Sequence, residues 1–171
     1  MDSSAAMIDE AEPTGQWRIG LGKRLRLAHM AFSRALRMEL AKADVSFGQF
    51  VHLERLWEQD GLTQKELSAR VGVETASSTT ILAELERLGF VTRERSAEDG
   101  RAIVVRLTAR GRGLRPTLLE AASRVNALAR ANLDDEALTR IYSALDSIAD
   151  ELARAYPNAG RATARQRFDA T

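Results

Sequence analysis

The sequence predicts a mainly α-helical chain that carries one small β-hairpin. Three observations predict it. Apolar residues recur in stripes of three- and four-residue spacing along most of the chain. Strict alternation marks only a short region around Ile103, Val105 and Leu107. Ser and Thr caps and Gly stops cut the stripes into pieces of helical length.

Taken in order, residues 1–15 (MDSSAAMIDEAEPTG) are small and acidic and are interrupted by Pro13 and Gly15. They read as a flexible leader, with a partly helical piece around Ala5–Glu12. From Trp17 to Ala41 one helix is expected, with Leu21, Leu25, Ala28, Phe32, Leu36 and Leu40 on a single stripe. At about 1.5 Å per residue it would be close to 40 Å long, more than a small lobe can cover. Ser46-Phe47-Gly48-Gln49 has the form of a capping box, with Ser at the N-cap and Gln three residues on. The helix it opens, Phe47–Gln59, puts Phe50, Leu53 and Trp57 on one face and stops at Asp60-Gly61.

Thr63-Gln64-Lys65-Glu66 forms a second box, opening a helix that ends near Val71-Gly72. A helix from Glu74 to Leu88 follows, ended by Gly89, with Leu82, Leu85, Leu88 and either Thr79 or Ile81 buried. Phe90–Arg95 and Ala102–Leu107 read as strands around the polar loop Ser96–Arg101, which is too long for a two-residue hairpin and should project. Thr108 caps a further helix to about Ala131. Pro116 either kinks that helix or moves its regular part to begin near Arg115. Acids at 134–136 open the last helix, where Leu138, Ile141, Leu145, Ile148 and Leu152 repeat as a heptad-like seam apt for pairing. Residues 46–108 thus have the grammar of a helix-turn-helix followed by a hairpin, or wing. Residues 16–45 and 109–156 form a helical dimerisation region, and 157–171 a flexible basic tail.

Composition narrows the function. No run approaches the ~18 apolar residues that span a bilayer, and residues 1–15 carry neither a base nor an apolar run, so no membrane partner and a cytoplasmic location are expected. Cysteine is absent, which removes disulfides, thiolate metal sites and thiol redox sensing. His29 and His52 lie 23 residues apart, unlike any zinc motif, so no metal is expected. No nucleophile elbow, phosphate loop or carboxylate pair supports catalysis, and no cofactor is expected.

Net charge is +1, but it is unevenly spread: residues 16–40 hold six bases and one acid, and residues 90–112 hold six Arg and three acids. The basic excess lies where a phosphate backbone could meet it. The helix from Glu74 is rich in hydroxyls, with Ser or Thr at five of the six positions 75–80. These are poor helix formers on a solvated face. They suit a helix lying close to a groove, where short side chains reach phosphates and thymine methyls. Thr75, Ala76, Ser77 and Thr80 are the candidates there, with Arg93 and Arg95 on the first wing strand. An Arg on a projecting tip suits the deep negative potential of a narrow minor groove, which selects Arg101. Asp99 would be repelled by DNA, so its expected role is to orient an Arg.

The order of capped helix, Gly turn, Ser/Thr-rich helix, Gly stop, strand, Asp-Gly-Arg loop, strand and Thr cap resembles the MarR family of transcription regulators. LTQKELSARVGVETASSTTILAELERLGFVTR is similar to the family's two DNA-binding helices, and EDGRAIVVRLTARGR to its wing. The resemblance implies a homodimer whose terminal helices interleave and a pseudo-palindromic double-stranded DNA operator. It places Ala76, Ser77 and Thr80 where relatives touch bases, Arg101 on the wing-tip arginine and Asp99 on its paired acid. Thr80 departs from the Arg that some relatives carry, so no bidentate guanine contact is available there. The resemblance also implies a small aromatic or acyl effector, released repression, and a cleft for which Arg26, His29, Phe32, Ser33, Phe50, His52, Leu53 and Trp57 are the candidate lining, with Arg34 an alternative anion partner. Two other functions fit the same residues: a helical adaptor that no longer binds DNA, and an architectural DNA-binding protein of low sequence preference.

Overall fold

A computed structural model describes residues 20–97 and 99–157. The expected leader, the first turn of the helix expected from Trp17, Glu98 and the tail beyond Pro157 lie outside the described residues. Helix α1 (Leu21–Ala41) begins at Gly20 without a side-chain cap. Its stripe is buried only toward its C-terminal end: Leu36 and Leu40 are enclosed, Leu25 and Phe32 are half-buried, and Leu21 and Ala28 are exposed. The N-terminal part of the stripe runs past the core of this single chain.

Helix α2 (Phe47–Glu58) opens on the expected box, in which Ser46 Oγ accepts from Gln49 N at 3.2 Å and Gln49 Oε1 from Ser46 N at 2.8 Å. Strand β1 (Leu62–Thr63) leads into α3 (Gln64–Val71), opened in the same way by Thr63 and Glu66. Gly72 ends α3 in the left-handed region, and the turn delivers the chain into α4 (Thr75–Arg87). Gly89, also left-handed, turns it into strand β2 (Val91–Arg95), which pairs antiparallel with β3 (Ile103–Leu107) from Val91↔Leu107 to Arg95↔Ile103. The sheet has three strands in the order β1-β3-β2. Strand β1 was not expected. It is two residues long, too short to show alternation, and exists because buried Leu62 pairs with Val105.

One helix was expected from Ala109 to about Ala131, and two form. Helix α5 (Ala109–Gly113) stops at Leu114, and α6 (Arg115–Ala129) starts anew with Pro116 in its first turn. The missing proline N–H is no loss there, and its fixed φ suits a helix start. This is the second of the two roles open to Pro116. Helix α7 (Asp135–Ala155) begins where Asp134 Oδ1 accepts from Ala137 N at 2.7 Å.

The core joins Leu36, Leu40 and Val45 to Phe50, Leu53 and Leu56 of α2, Leu82 and Leu85 of α4, Val105 and Leu107 of β3, and Leu118, Ala121 and Val125 of α6. Arg124 of α6 reaches Glu39 of α1 at 3.0 Å and pins these two helices at the surface. Helix α7 adds nothing to this core. None of its side chains is buried, and Ile141, Leu145 and Leu152 of the expected seam lie open, Leu152 at 56% exposure.

The lobe and the helices above it meet at α5. Thr108 donates from its backbone N to Phe90 O at 3.0 Å and from Oγ1 to Gly89 O at 2.7 Å, while Oγ1 accepts from Gly111 N at 3.0 Å. The Trp57 indole donates to Gly111 O at 3.1 Å. A Cβ at Gly111 would lie 2.0 Å from the Phe90 carbonyl oxygen, a backbone atom with no freedom to yield. Gly111→Ala is therefore expected to destabilise the chain by about 3 kcal/mol, the upper range for overpacking. A urea titration checks this; a midpoint equal to that of the parent would show that the joint can open without cost.

Candidate nucleic-acid interface

The sequence places four short side chains on α4 for contact with a groove, and the fold leaves all four exposed: Thr75, Ala76, Ser77 and Thr80. They face outward because Ser78, Leu82 and Leu85 take the inward side of the helix. Thr79 was one option for the buried face and is exposed, while Ile81 is half-buried. Thr80 Oγ1 donates to Ala76 O at 3.3 Å and Thr79 Oγ1 to Thr75 O at 2.8 Å, so these hydroxyls close onto their own helix and keep their lone pairs outward. Glu74 stands at the N-cap without a capping bond. The free N–H groups and the dipole at that end favour a nearby anion.

The wing is closed by its own loop. Ser96 N donates to Ala102 O at 2.8 Å, Ala102 N to Asp99 O at 2.9 Å, and Asp99 N to Ser96 Oγ at 3.2 Å. Asp99 Oδ1 accepts from the backbone N of Arg101 at 3.0 Å. Asp99 thus holds Arg101 through the main chain and shapes the turn from which the guanidinium leaves. Arg101 and Arg95 are exposed. Arg93 is placed differently. It is half-buried, with Nη2 and Nε at 2.6 and 2.9 Å from Glu86 Oε2, and its backbone N is 3.1 Å from Glu86 Oε1. That pair ties β2 to the end of α4 and neutralises the Arg93 charge.

Comparison with known proteins agrees with this architecture. The MarR family profile matches residues 45–103, which run from just before α2 to the start of β3. The regulator TtmR of Methylorubrum extorquens is 35% identical over 122 residues, covering 71% of this chain and 62%, less than two thirds, of its own length. The organic hydroperoxide resistance transcriptional regulator of Bacillus subtilis is 28% identical over 113 residues, covering 66% of this chain and 76% of its own. A MarR transcriptional regulator from Methanosarcina mazei superposes with a TM-score of 0.72 at 24% identity, over 78% of this chain and 96% of that one. The likeness to the MarR family is carried by residues 45–103.

The eight residues considered for an effector do not share one surface. Arg26 and His29 are exposed on α1, His29 Nε2 lying 3.4 Å from Ser33 Oγ, while Ser33 is buried and Phe32 half-buried. Phe50 and Leu53 are core residues, and His52 is fully enclosed. These three present nothing to a ligand in this chain, because α2 is covered by α1, α3, α4, α6 and the sheet. Trp57 meets Phe50 edge-on, with ring centroids 6.4 Å apart. It lines a shallow cavity of about 280 Å³ with Leu56, Asp60, Leu107, Arg112 and Arg115, none of which comes from α1. Arg34 is exposed on α1.

Several residues of consequence carry no local sequence signal. Asp60, legible only as a helix stop, accepts from Gly61 N and Leu107 N at Oδ1 and from Arg112 Nη1 at Oδ2, each at 2.9 Å. Glu86 and Ser78 were likewise unmarked. Gly48 did leave a clue. A glycine inside a helix costs stability unless something approaches closely, and a Cβ there would sit 2.9 Å from Ile81 Cδ1.

Burial holds His52 below the ordinary imidazole value of 6.5, and its bond to the Gly48 carbonyl opposes this only in part. The unfolded chain therefore binds more protons than the folded one, so stability rises with pH. The His52 contribution is complete above about pH 6.5 and declines as pH falls below it, at no more than about 1.4 kcal/mol per pH unit. Urea midpoints taken at about pH 7.5 and 5.5 should fall more steeply for the parent than for His52→Phe. Equal slopes would mean that His52 titrates normally in the fold.

Proposed function

We propose that this chain is a homodimeric transcription regulator that represses from a pseudo-palindromic double-stranded DNA operator and is released by a small aromatic or acyl ligand. One observation carries the DNA-binding part. Helix α4 exposes only short side chains at 75–77 and 80, beside a closed wing whose Arg95 and Arg101 point to solvent. Short side chains allow close approach to base edges, and the wing arginines supply the charge that α4, with no base before Arg87, lacks. The names of the TtmR and hydroperoxide-resistance relatives support a regulatory role.

The homodimer is supported by α7 and by the open end of α1. Leu21, Leu25, Ile148 and Leu152 border an apolar groove of about 440 Å³, and Ile141, Tyr142 and Leu145 continue the exposed face. A second copy would bury them and set two α4 helices one DNA turn apart. Among the described residues no helix is long and apolar enough to cross a membrane.

A mobility-shift titration on the promoter fragment beside the chain's own gene tests the reading. Affinity should fall steeply with salt, with a log–log slope of about −0.9 per phosphate contact. Arg101→Ala should weaken binding about tenfold and flatten that slope by about one. Ile141→Asp should sediment as a monomer and lose the shift. No shift at low salt on any promoter fragment would make the chain an adaptor, and continuous footprint coverage would make it architectural.

For the effector, we place the ligand beside Arg26, His29 and half-buried Phe32 on α1. Calorimetric titration with phenolic acids and short acyl carboxylates should show binding that His29→Ala weakens. Unchanged affinity in that variant removes His29 from the site. The sequence has no cysteine, so release does not proceed through oxidation of its own thiols.

A further inference from the structure

In the N-terminal half of α4 only one side chain is buried. From Val73 to Thr80 every residue is exposed except Ser78. No side chain caps the helix start. The next inward residues come a turn later, at half-buried Ile81 and buried Leu82. Ser78 is 1% exposed, and its Oγ lies 3.0 Å from His52 Nε2 on α2, both side chains enclosed.

The bond has a fixed sense. His52 Nδ1 lies 2.7 Å from Gly48 O, which can only accept, so Nδ1 carries the proton of the neutral ring. Nε2 is then an acceptor, and the Ser78 hydroxyl must donate to it. Gly48 therefore does two things at once. It orients the ring, and its missing side chain lets Ile81 of α4 come close to α2. An apolar contact is non-directional and lets a helix roll, whereas a hydrogen bond has a preferred length and angle. Successive helix residues are about 100° apart, so a modest roll moves Ser77 off the outward face. Of the inward contacts of α4, the Ser78–His52 bond is the one that resists a roll in the half that would meet bases.

We propose that His52 is a positioning residue for base reading: through Ser78 its buried imidazole fixes the rotation and depth of α4, and so the direction in which Ala76, Ser77 and Thr80 face. His52 itself touches no DNA. The inference rests on the DNA-binding reading above, and it separates sequence reading from general DNA affinity. Phosphate contacts made by the wing are insensitive to the roll of α4, whereas base contacts are not.

The test uses the full chain. The parent selects a duplex from a randomised palindromic pool. Fluorescence anisotropy then gives Kd on that duplex and on a scrambled duplex of equal length. The same measurement is made on Ser78→Ala, His52→Phe and the double variant, well below each one's unfolding midpoint. Ser78→Ala should lower the ratio of scrambled to selected Kd about tenfold, comparable to the loss of one base pair's recognition. Its Kd on the scrambled duplex should stay within about twofold, since that binding is set by phosphates. The double variant should discriminate no worse than the weaker single, because both changes break one bond. Ser78→Cys, with a weak S–H donor, should fall between, and together with Ser78→Ala it decides the matter should His52→Phe fail to fold. An undiminished ratio in folded Ser78→Ala, or additive losses in the double, would overturn the inference alone. A parent that binds no duplex even at low salt would overturn the DNA-binding reading, and the inference with it.

Discussion

The lobe and the helices above it depend on one close approach of backbone to backbone. At Gly111, helix α5 passes so near the Phe90 carbonyl that no Cβ fits. The contact is locked from three sides by Thr108, by the Trp57 indole and by the Arg110 guanidinium over the Phe90 ring at 5.0 Å. Asp60 extends the lock, gathering the end of β3 and Arg112 of α5 onto one carboxylate. Such contacts have little slack, because hydrogen bonds to buried backbone are costly to leave unmade. The direction in which α6 leaves the lobe is thereby set, and with it the placement of α1, which α6 carries on its flank.

The second dependency runs between α2 and α4. Gly48, His52 and Ser78 hold these helices together by a polar bond inside an otherwise apolar core. A buried polar group is tolerated only when satisfied, and here both ring nitrogens find partners. The interaction adds direction to a contact that Leu82 and Leu85 make strong but not specific. Arg93 and Glu86 do the same for the far end of α4 at the surface, fixing it to β2. Helix α4 is thus held near both ends by polar bonds and in its middle by apolar packing.

Much of this was legible in the sequence, and the division between legible and illegible parts is physical. The boxes at Ser46/Gln49 and Thr63/Glu66, the left-handed Gly72 and Gly89, and the Asp134 cap are signals contained within a few residues. Contacts across the fold leave no such mark. In sequence Ser78 is indistinguishable from its neighbouring hydroxyls, because its partner lies 26 residues away. His52, on an apolar stripe, was equally consistent with a cleft and with a core. Strand β1 has no pattern of its own and exists only because β3 offers an open edge. Arg93 and Arg95 occupy equivalent positions in the strand pattern, yet only Arg93 finds Glu86, and so one charge is spent internally while the other stays outward. The open face of α7 was the reverse case: the heptad seam showed in the sequence, and the single chain leaves it bare.

Under the proposed dimer, that bare face ties the fold to concentration. Helix α7 spends 21 residues on an amphipathic surface that contributes nothing to its own chain's core. An isolated copy holds it with little packing, although most helical stability in proteins comes from packing of an amphipathic face. Whatever covers the face adds its binding free energy to folding, so the unfolding midpoint becomes a property of the solution as much as of the sequence. Dilution would then loosen the terminal helix before the lobe, and a regulator built this way would lose its assembly while keeping its reading head folded.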